Sequence, residues 1–117
     1  MRPPVVIAVA IISALSACSS ASTHVDKAPI AANANEVVIS DYKFYPPKLT
    51  VPVGTTVKWV NHDIAPHTAT HRSFAAEAFD TGSLGHNETF SHTFKTTGTY
   101  DYLCVFHQGM MGTIIVQ

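Results

Sequence analysis

The chain has 117 residues, a formal net charge of −1, and a composition that is 46% hydrophobic and 13% charged. This length supports one domain around one hydrophobic core and excludes two domains of ordinary size. Residues 18–117 carry six Lys and Arg against eight Asp and Glu, with no basic run, which argues against nucleic acid as a partner.

An apolar run from Val5 to Leu15 follows Arg2 at the N-terminus. The run is too short to cross a bilayer, but it has the length of the central region of a secretory signal. We therefore expect residues 1–17 to be a signal peptide. The protein would then be exported to the periplasmic or cell-surface face of a membrane.

The four residues Leu15-Ser16-Ala17-Cys18 resemble the lipobox of bacterial lipoproteins, in which cleavage precedes a cysteine that becomes acylated. The resemblance implies a lipid anchor at Cys18 and hence attachment to the membrane. The alternative is ordinary cleavage near Ser20 or Ser22, which would release a soluble product. Of the two, we expect the anchor.

Residues 18–35 contain mostly Ser, Ala, Thr and Asn with scattered proline and charge, and they offer little to bury. This composition predicts a flexible tether. An exported chain with two cysteines could form a disulfide. However, Cys18 lies at the processing site and Cys104 lies among candidate metal ligands, so no disulfide is predicted.

From Glu36 onward, short β-branched and aromatic segments alternate with turn residues. Such a pattern, with turn signals every eight to twelve residues or so, predicts an all-β domain over residues 36–117, a Greek-key β-sandwich of seven to eight strands. Trp59 is expected in its core, and one helical turn is predicted at Phe74–Phe79. The main strands are predicted at Glu36–Ser40, Leu49–Val53, Thr55–Asn61, Glu88–Phe94, Thr99–Cys104 and Gly112–Val116.

The segment from Cys104 to Met110 offers a thiol, an imidazole and a thioether within one short loop. Cys104 and His107 are three residues apart, so one turn of the loop can direct both donor atoms at one point. Thiolate and thioether favour copper, because soft ligands select Cu(I) and imidazole suits either oxidation state. Taken singly, such residues are usually buried structural residues, but their combination predicts a copper site.

A copper site with these donors needs a second histidine from elsewhere in the fold. His67 is the best candidate, because Pro66 fixes the backbone just before it and Trp59 lies only a few residues upstream. The other five histidines are predicted to be surface or structural residues and not an additional copper-loading site: His24, His62, His71, His86 and His92.

Because of these residues and the matching segments given below, the segment from Glu36 to Gln117 resembles a cupredoxin, a small blue-copper protein of the plastocyanin and amicyanin group. The resemblance implies three equatorial ligands and one weak axial ligand for a single copper ion, namely His67, Cys104, His107 and Met110. The loop length is most similar to amicyanin. The matching segments are Trp59-Val60-Asn61, Ala65-Pro66-His67-Thr68, Phe79-Asp80-Thr81-Gly82, the run from Gly98 to Cys104, His107, Met110, and Gly112 to Val116.

Met111 is the rival for the axial position. Met110 is preferred because it occupies the family's place before the final strand. Asn61 also matches the family, and we expect it to satisfy the local backbone near the strand end.

Two positions depart from the amicyanin pattern. Thr68 stands where Asn is common, and its hydroxyl could connect the two ligand loops, although an ordinary strand threonine is an equal alternative. Phe106 stands where proline is usual, so its backbone N–H could donate to the Cys104 sulfur and stabilise the reduced site.

The resemblance implies a type 1 blue copper protein that carries one electron at a time, cycling between Cu(I) and Cu(II). All donors come from the protein and no position is left for a substrate, so the protein is not expected to be an enzyme. A monomer would dock transiently with a redox donor and acceptor through the surface around His107. By analogy with the family, that surface is formed by Ala65, Pro66, Gln108 and Gly109.

Three alternatives use the same residues. A copper-binding lipoprotein for storage, delivery or sensing would bind Cu(I) and release it. An enzyme could use Cys104 and His107 as a nucleophile and base, but Met110 and His67 would then have no role. A structural zinc site would be built from Cys, His and carboxylates, and not from Met.

Overall fold

The computed structural model describes residues 33–72, 74 and 76–117. The expected signal peptide, the anchor at Cys18 and the tether up to residue 32 lie outside the described residues. In the described part of the chain, no helix has the length and apolar character needed to span a membrane.

Eight strands form two four-stranded sheets within the described residues. In chain order they are β1 (Glu36–Ser40), β2 (Lys43–Tyr45), β3 (Lys48–Val51), β4 (Thr56–Asn61), β5 (Thr70–His71), β6 (Thr89–Thr93), β7 (Gly98–Leu103) and β8 (Met111–Val116). The first sheet has the order β2-β1-β4-β6 and the second the order β3-β8-β7-β5. The predicted β-sandwich is confirmed, and the ends of the main strands differ from the predicted ones by at most two residues.

The pairing explains how distant segments come together. β1 pairs in parallel with β4, and β3 pairs in parallel with β8, whereas the remaining pairs are antiparallel. Parallel partners cannot be joined by a tight hairpin. The chain therefore crosses between the sheets, and its longer connections gather at the ends of the sandwich.

The helical turn predicted at Phe74–Phe79 is wrong for the described part of that segment, which is irregular. In this segment, the Glu77 carboxylate accepts a hydrogen bond from the Lys95 N–H at 2.7 Å and lies 3.2 Å from the His92 ring nitrogen Nε2. Long-range contacts with the neighbouring β6 region therefore hold this segment, because they outweigh the local preference for a helical turn.

Aromatic side chains from both sheets fill one core. Trp59 is fully buried, stacks on Phe79 with ring centroids 5.1 Å apart, and meets Tyr102 edge-on. Tyr100 is also fully buried, and its hydroxyl donates to the Thr96 carbonyl at 2.6 Å, so its polar atom is satisfied. The core position predicted for Trp59 is confirmed.

Three connections converge at one end of the sandwich. They are the turn between β1 and β2, the connection from β4 to β5, and the loop from β7 to β8. The carboxylate of Asp63 in the second connection contacts the backbone of Asp41 and Tyr42 in the first. Thr68 in the second connection contacts Cys104 and Val105 in the third. All the predicted metal-binding residues lie in these connections.

Candidate metal centre

Three donor atoms meet between the β4–β5 connection and the β7–β8 loop. His67 Nδ1 lies 3.1 Å from His107 Nδ1, and Cys104 Sγ lies 3.7 Å and 3.5 Å from these two nitrogens. A point equidistant from the three atoms lies about 2.0 Å from each, close to the length of a bond between a first-row metal ion and nitrogen. The structure thus brings together His67, Cys104 and His107.

The β7–β8 loop is a tight turn that presents two of these donors. Cys104 follows the last residue of β7, and its N–H donates to the Met110 carbonyl at 3.0 Å. The Met110 N–H in turn lies 3.3 Å from the His107 carbonyl. Gly109 has a φ of 82°, a conformation that glycine adopts without steric cost. These bonds fix the separation of the thiol and the imidazole.

The two methionines of this loop differ in exposure. Met110 is 5% exposed and belongs to the core cluster that includes Cys104, whereas Met111 begins β8 and is 51% exposed. Successive strand residues point to opposite faces, so Met111 faces outward. Burial therefore favours Met110 over Met111 as the source of a fourth donor.

A buried amide fixes the connection that carries His67. Asn61 donates from Nδ2 to the carbonyls of Ala65 and Leu84 at 2.9 and 2.8 Å, and its Oδ1 accepts from the Asp63 N–H at 2.9 Å. His67 also exchanges two backbone hydrogen bonds with Leu84. His67 is fully buried. Its backbone hydrogen bonds and the side chains packed around it therefore both restrict the position of its imidazole.

Thr68 joins the two ligand loops. Its N–H donates to Cys104 Sγ at 3.4 Å, and its Oγ1 accepts from the Val105 N–H at 2.9 Å. The hydroxyl therefore makes a connection between the loops that an ordinary strand threonine would not.

The backbone N–H that donates to the Cys104 sulfur belongs to Thr68 and not to Phe106. Within the described residues, the Phe106 N–H makes no hydrogen bond to this sulfur, so the structure does not support the contact expected from the sequence. Val105 and Phe106 are both more than half exposed.

Asp63 is a residue of the site that the sequence analysis did not identify. Its Oδ2 lies 2.9 Å from His67 Nε2, on the side of the ring opposite to the donor nitrogen. Burial raises the pKa of Asp63, but hydrogen bonds from the Tyr42 and Asp41 amides and from His67 outweigh burial and hold it below the ordinary value. A carboxylate four residues before a metal-binding histidine is a signal that could have pointed to it.

Tyr42 is the second residue that the sequence analysis missed. Its ring packs edge-on against both imidazoles, with centroids 5.1 Å from His67 and 4.8 Å from His107. It reaches the site from the β1–β2 turn. No local sequence pattern links that turn to the ligand loops, so only the fold reveals the contact.

The donor set determines which metal fits. Two imidazoles and one cysteine sulfur, with a buried thioether nearby in sequence, correspond to the donors of electron-transfer copper sites. Zinc sites are normally completed by further Cys, His or carboxylate donors. In the described part of the chain, the cluster of such residues is limited to His67, Cys104 and His107, so the residues fit copper better than zinc.

We expect Thr68→Val to lower the free energy of unfolding of the copper-free chain by about 1–3 kcal/mol, because the Val105 N–H would lose its acceptor. Thr68→Ser keeps the hydroxyl and should retain most of that stability. Urea unfolding measures both values, and amide hydrogen exchange should be faster at Val105 in the valine variant. Equal stability of the valine and serine variants would contradict this role.

Comparison with known proteins agrees with this geometry. The family model described as Cupredoxin-like domain matches residues 5–116. Amicyanin-alpha of Methylorubrum extorquens is 34% identical over 113 residues, which cover 94% of this chain and 93% of that protein. The Cu(I) form of an amicyanin variant superposes with a TM-score of 0.66 at 35% identity, covering 77% of this chain and 88% of the other.

A larger protein also contains this fold. A Cu-containing nitrite reductase from Thermus scotoductus SA-01 superposes with a TM-score of 0.68 at 37% identity. The match covers 70% of this chain but only 22% of the reductase. The likeness therefore concerns one part of that enzyme and does not carry its activity to this chain.

Proposed function

This chain belongs to the cupredoxin-like family, and on that basis we propose that it is a type 1 copper protein that carries single electrons outside the cytoplasm. Its cofactor is one copper ion, which supplies the one-electron couple. The observation that carries the proposal is the convergence of one sulfur and two imidazole nitrogens, from His67, Cys104 and His107, within 4.8 Å of one another.

The role of the protein is to hold these donors still. Cu(II) prefers tetragonal surroundings, and a donor set held rigidly between the preferences of the two oxidation states changes little when an electron is transferred. Here Thr68 ties the Cys104 loop to the His67 connection, and Asn61 fixes that connection to the sandwich. Small rearrangement favours fast electron exchange, which is what a carrier requires.

The exposure of the donors suggests where electrons enter and leave. His67 and Cys104 are buried, whereas His107 is partly exposed. We propose that transient redox partners dock around His107, on a surface that includes the exposed residues Pro66, Gln108 and Gly109 together with the half-exposed Phe106. Such redox encounters use small interfaces. The carrier is proposed to be monomeric and to catalyse no reaction of its own.

Adding one equivalent of Cu(II) to the purified copper-free chain should give an intense blue colour that bleaches on reduction and returns on oxidation. The colour arises because a thiolate binds the ion, so Cys104→Ser should abolish it while the chain remains folded. Absorption spectroscopy through repeated redox cycles is the measurement. Release of the metal on each reduction would contradict a carrier and favour copper delivery. A colourless wild-type complex would remove the blue-copper assignment.

The axial ligand can be tested separately. Met110→Leu should change the visible spectrum and the reduction potential, because a buried thioether near the ion would be lost. Met111→Leu is the matched control, since Met111 is half exposed, and it should leave both nearly unchanged. A larger spectral change in the Met111 variant would reverse the assignment.

We also propose that the chain is exported and anchored by a lipid at Cys18. The support is the apolar run between Val5 and Leu15, followed by Leu15-Ser16-Ala17-Cys18. The mature wild-type protein should partition into detergent, and Cys18→Ala should move it to the aqueous phase. Wild-type protein in the aqueous phase would exclude the anchor, but it would not contradict the proposed copper site.

A further inference from the structure

The two-residue turn between β1 and β2 has an uncommon backbone. Asp41 and Tyr42 have φ values of 51° and 59°. A hairpin turn with positive φ at both central positions normally contains Asn, Asp or Gly, and a bulky residue such as tyrosine is rarely found there. Such a conformation persists only where surrounding contacts hold it, and it often occurs at functional sites.

One carboxylate contacts the backbone of both turn residues. Asp63 accepts hydrogen bonds from the N–H groups of Asp41 and Tyr42 at 2.8 and 2.9 Å. The same carboxylate lies 2.9 Å from His67 Nε2, and only 14% of its side chain is exposed. One partly buried carboxylate thus contacts both the strained turn and the fully buried copper ligand.

The position of this carboxylate favours one tautomer of His67. A carboxylate at Nε2 favours the proton on that nitrogen, which leaves the lone pair of Nδ1 free. Nδ1 is the atom that faces Cys104 Sγ and His107 Nδ1. The hydrogen bond therefore prepares the ring for a metal ion before the ion arrives.

The turn also places an aromatic ring over the site. Tyr42 meets both imidazole planes almost at right angles, at 89° for His67 and 86° for His107. About half of the Tyr42 side chain is exposed. The ring therefore lies between the two imidazoles and the solvent, and its position depends on the turn that Asp63 holds.

We propose that Asp63 and Tyr42 form one positioning unit for the copper centre. Asp63 fixes the orientation and tautomer of His67 and holds the turn, and the turn keeps the Tyr42 ring against both imidazoles. The negative charge of Asp63 also favours Cu(II) over Cu(I), so it lowers the reduction potential of the site. This electrochemical part rests on the proposed function, whereas the conformational part does not.

The conformational part is tested on the full copper-free chain. In the wild type, ¹⁵N NMR should show His67 protonated at Nε2, and in Asp63→Asn this tautomer should no longer dominate. Amide hydrogen exchange at positions 41 and 42 should be about tenfold faster in the variant, because at least one acceptor is lost. Unchanged tautomer and exchange rates would overturn the proposal, whatever metal the chain binds.

The electrochemical part is tested by voltammetry of the copper-loaded chain. Asp63→Asn should weaken Cu(II) binding about tenfold relative to Cu(I), which for a one-electron couple raises the reduction potential by about 59 mV. Glu36→Gln removes the same charge at the far end of β1, about 16 Å along the strand from the turn, and should give a much smaller shift. Equal shifts in the two variants would mean a general charge effect and would overturn the local role.

A double-mutant cycle tests whether the two residues act as one unit. Tyr42→Ala should change the visible spectrum and the potential, whereas Tyr42→Phe keeps the ring and should resemble the wild type. In the Asp63→Asn background the effect of Tyr42→Ala should shrink, because the turn no longer holds the ring. Fully additive effects would overturn the coupling. A wild type without blue colour would refute the proposed function, while the NMR results would still decide the role of Asp63.

Discussion

The contact between the His67 connection and the Cys104 loop is the interaction on which the rest of this structure depends. Thr68 forms two hydrogen bonds across this contact: its N–H donates to the Cys104 sulfur, and its hydroxyl oxygen accepts from the Val105 N–H. Without it the thiol and the first imidazole would belong to independent connections. With it, the two connections are tied together, and the sandwich serves mainly to bring them to the same end.

The two imidazoles have different environments, which suit them to different roles. His67 is enclosed, with Asp63 at its outer nitrogen and Leu84 paired with its backbone. His107 belongs to a loop whose neighbours Phe106 and Gln108 are exposed. The first ring is suited to fixing the properties of the metal, because its contacts are internal. The second is suited to exchange with a partner, because it meets the surface.

Much of the fold and of the candidate copper site could be predicted from the sequence. Cys104, His107 and Met110 share one loop, so their proximity follows from spacing, and His67 was identified by its neighbour Pro66 and by family resemblance. The strands follow from alternation, as at Val57 and Trp59. What could not be predicted depends on long-range contacts: Tyr42 lies 25 residues before His67, and the segment around Glu77 is held by another strand, which overrides its local helical preference.

The position of the donors along the chain has a consequence for the integrity of the domain. An ion bound by His67 and by the Cys104 loop would join segments 37 residues apart, one leaving the first sheet and the other belonging to the second. The cofactor would then act as a cross-link, as disulfides do in small secreted domains. Cys104 is a free thiol in this structure, so at this end of the molecule the metal can take the place of a covalent clamp.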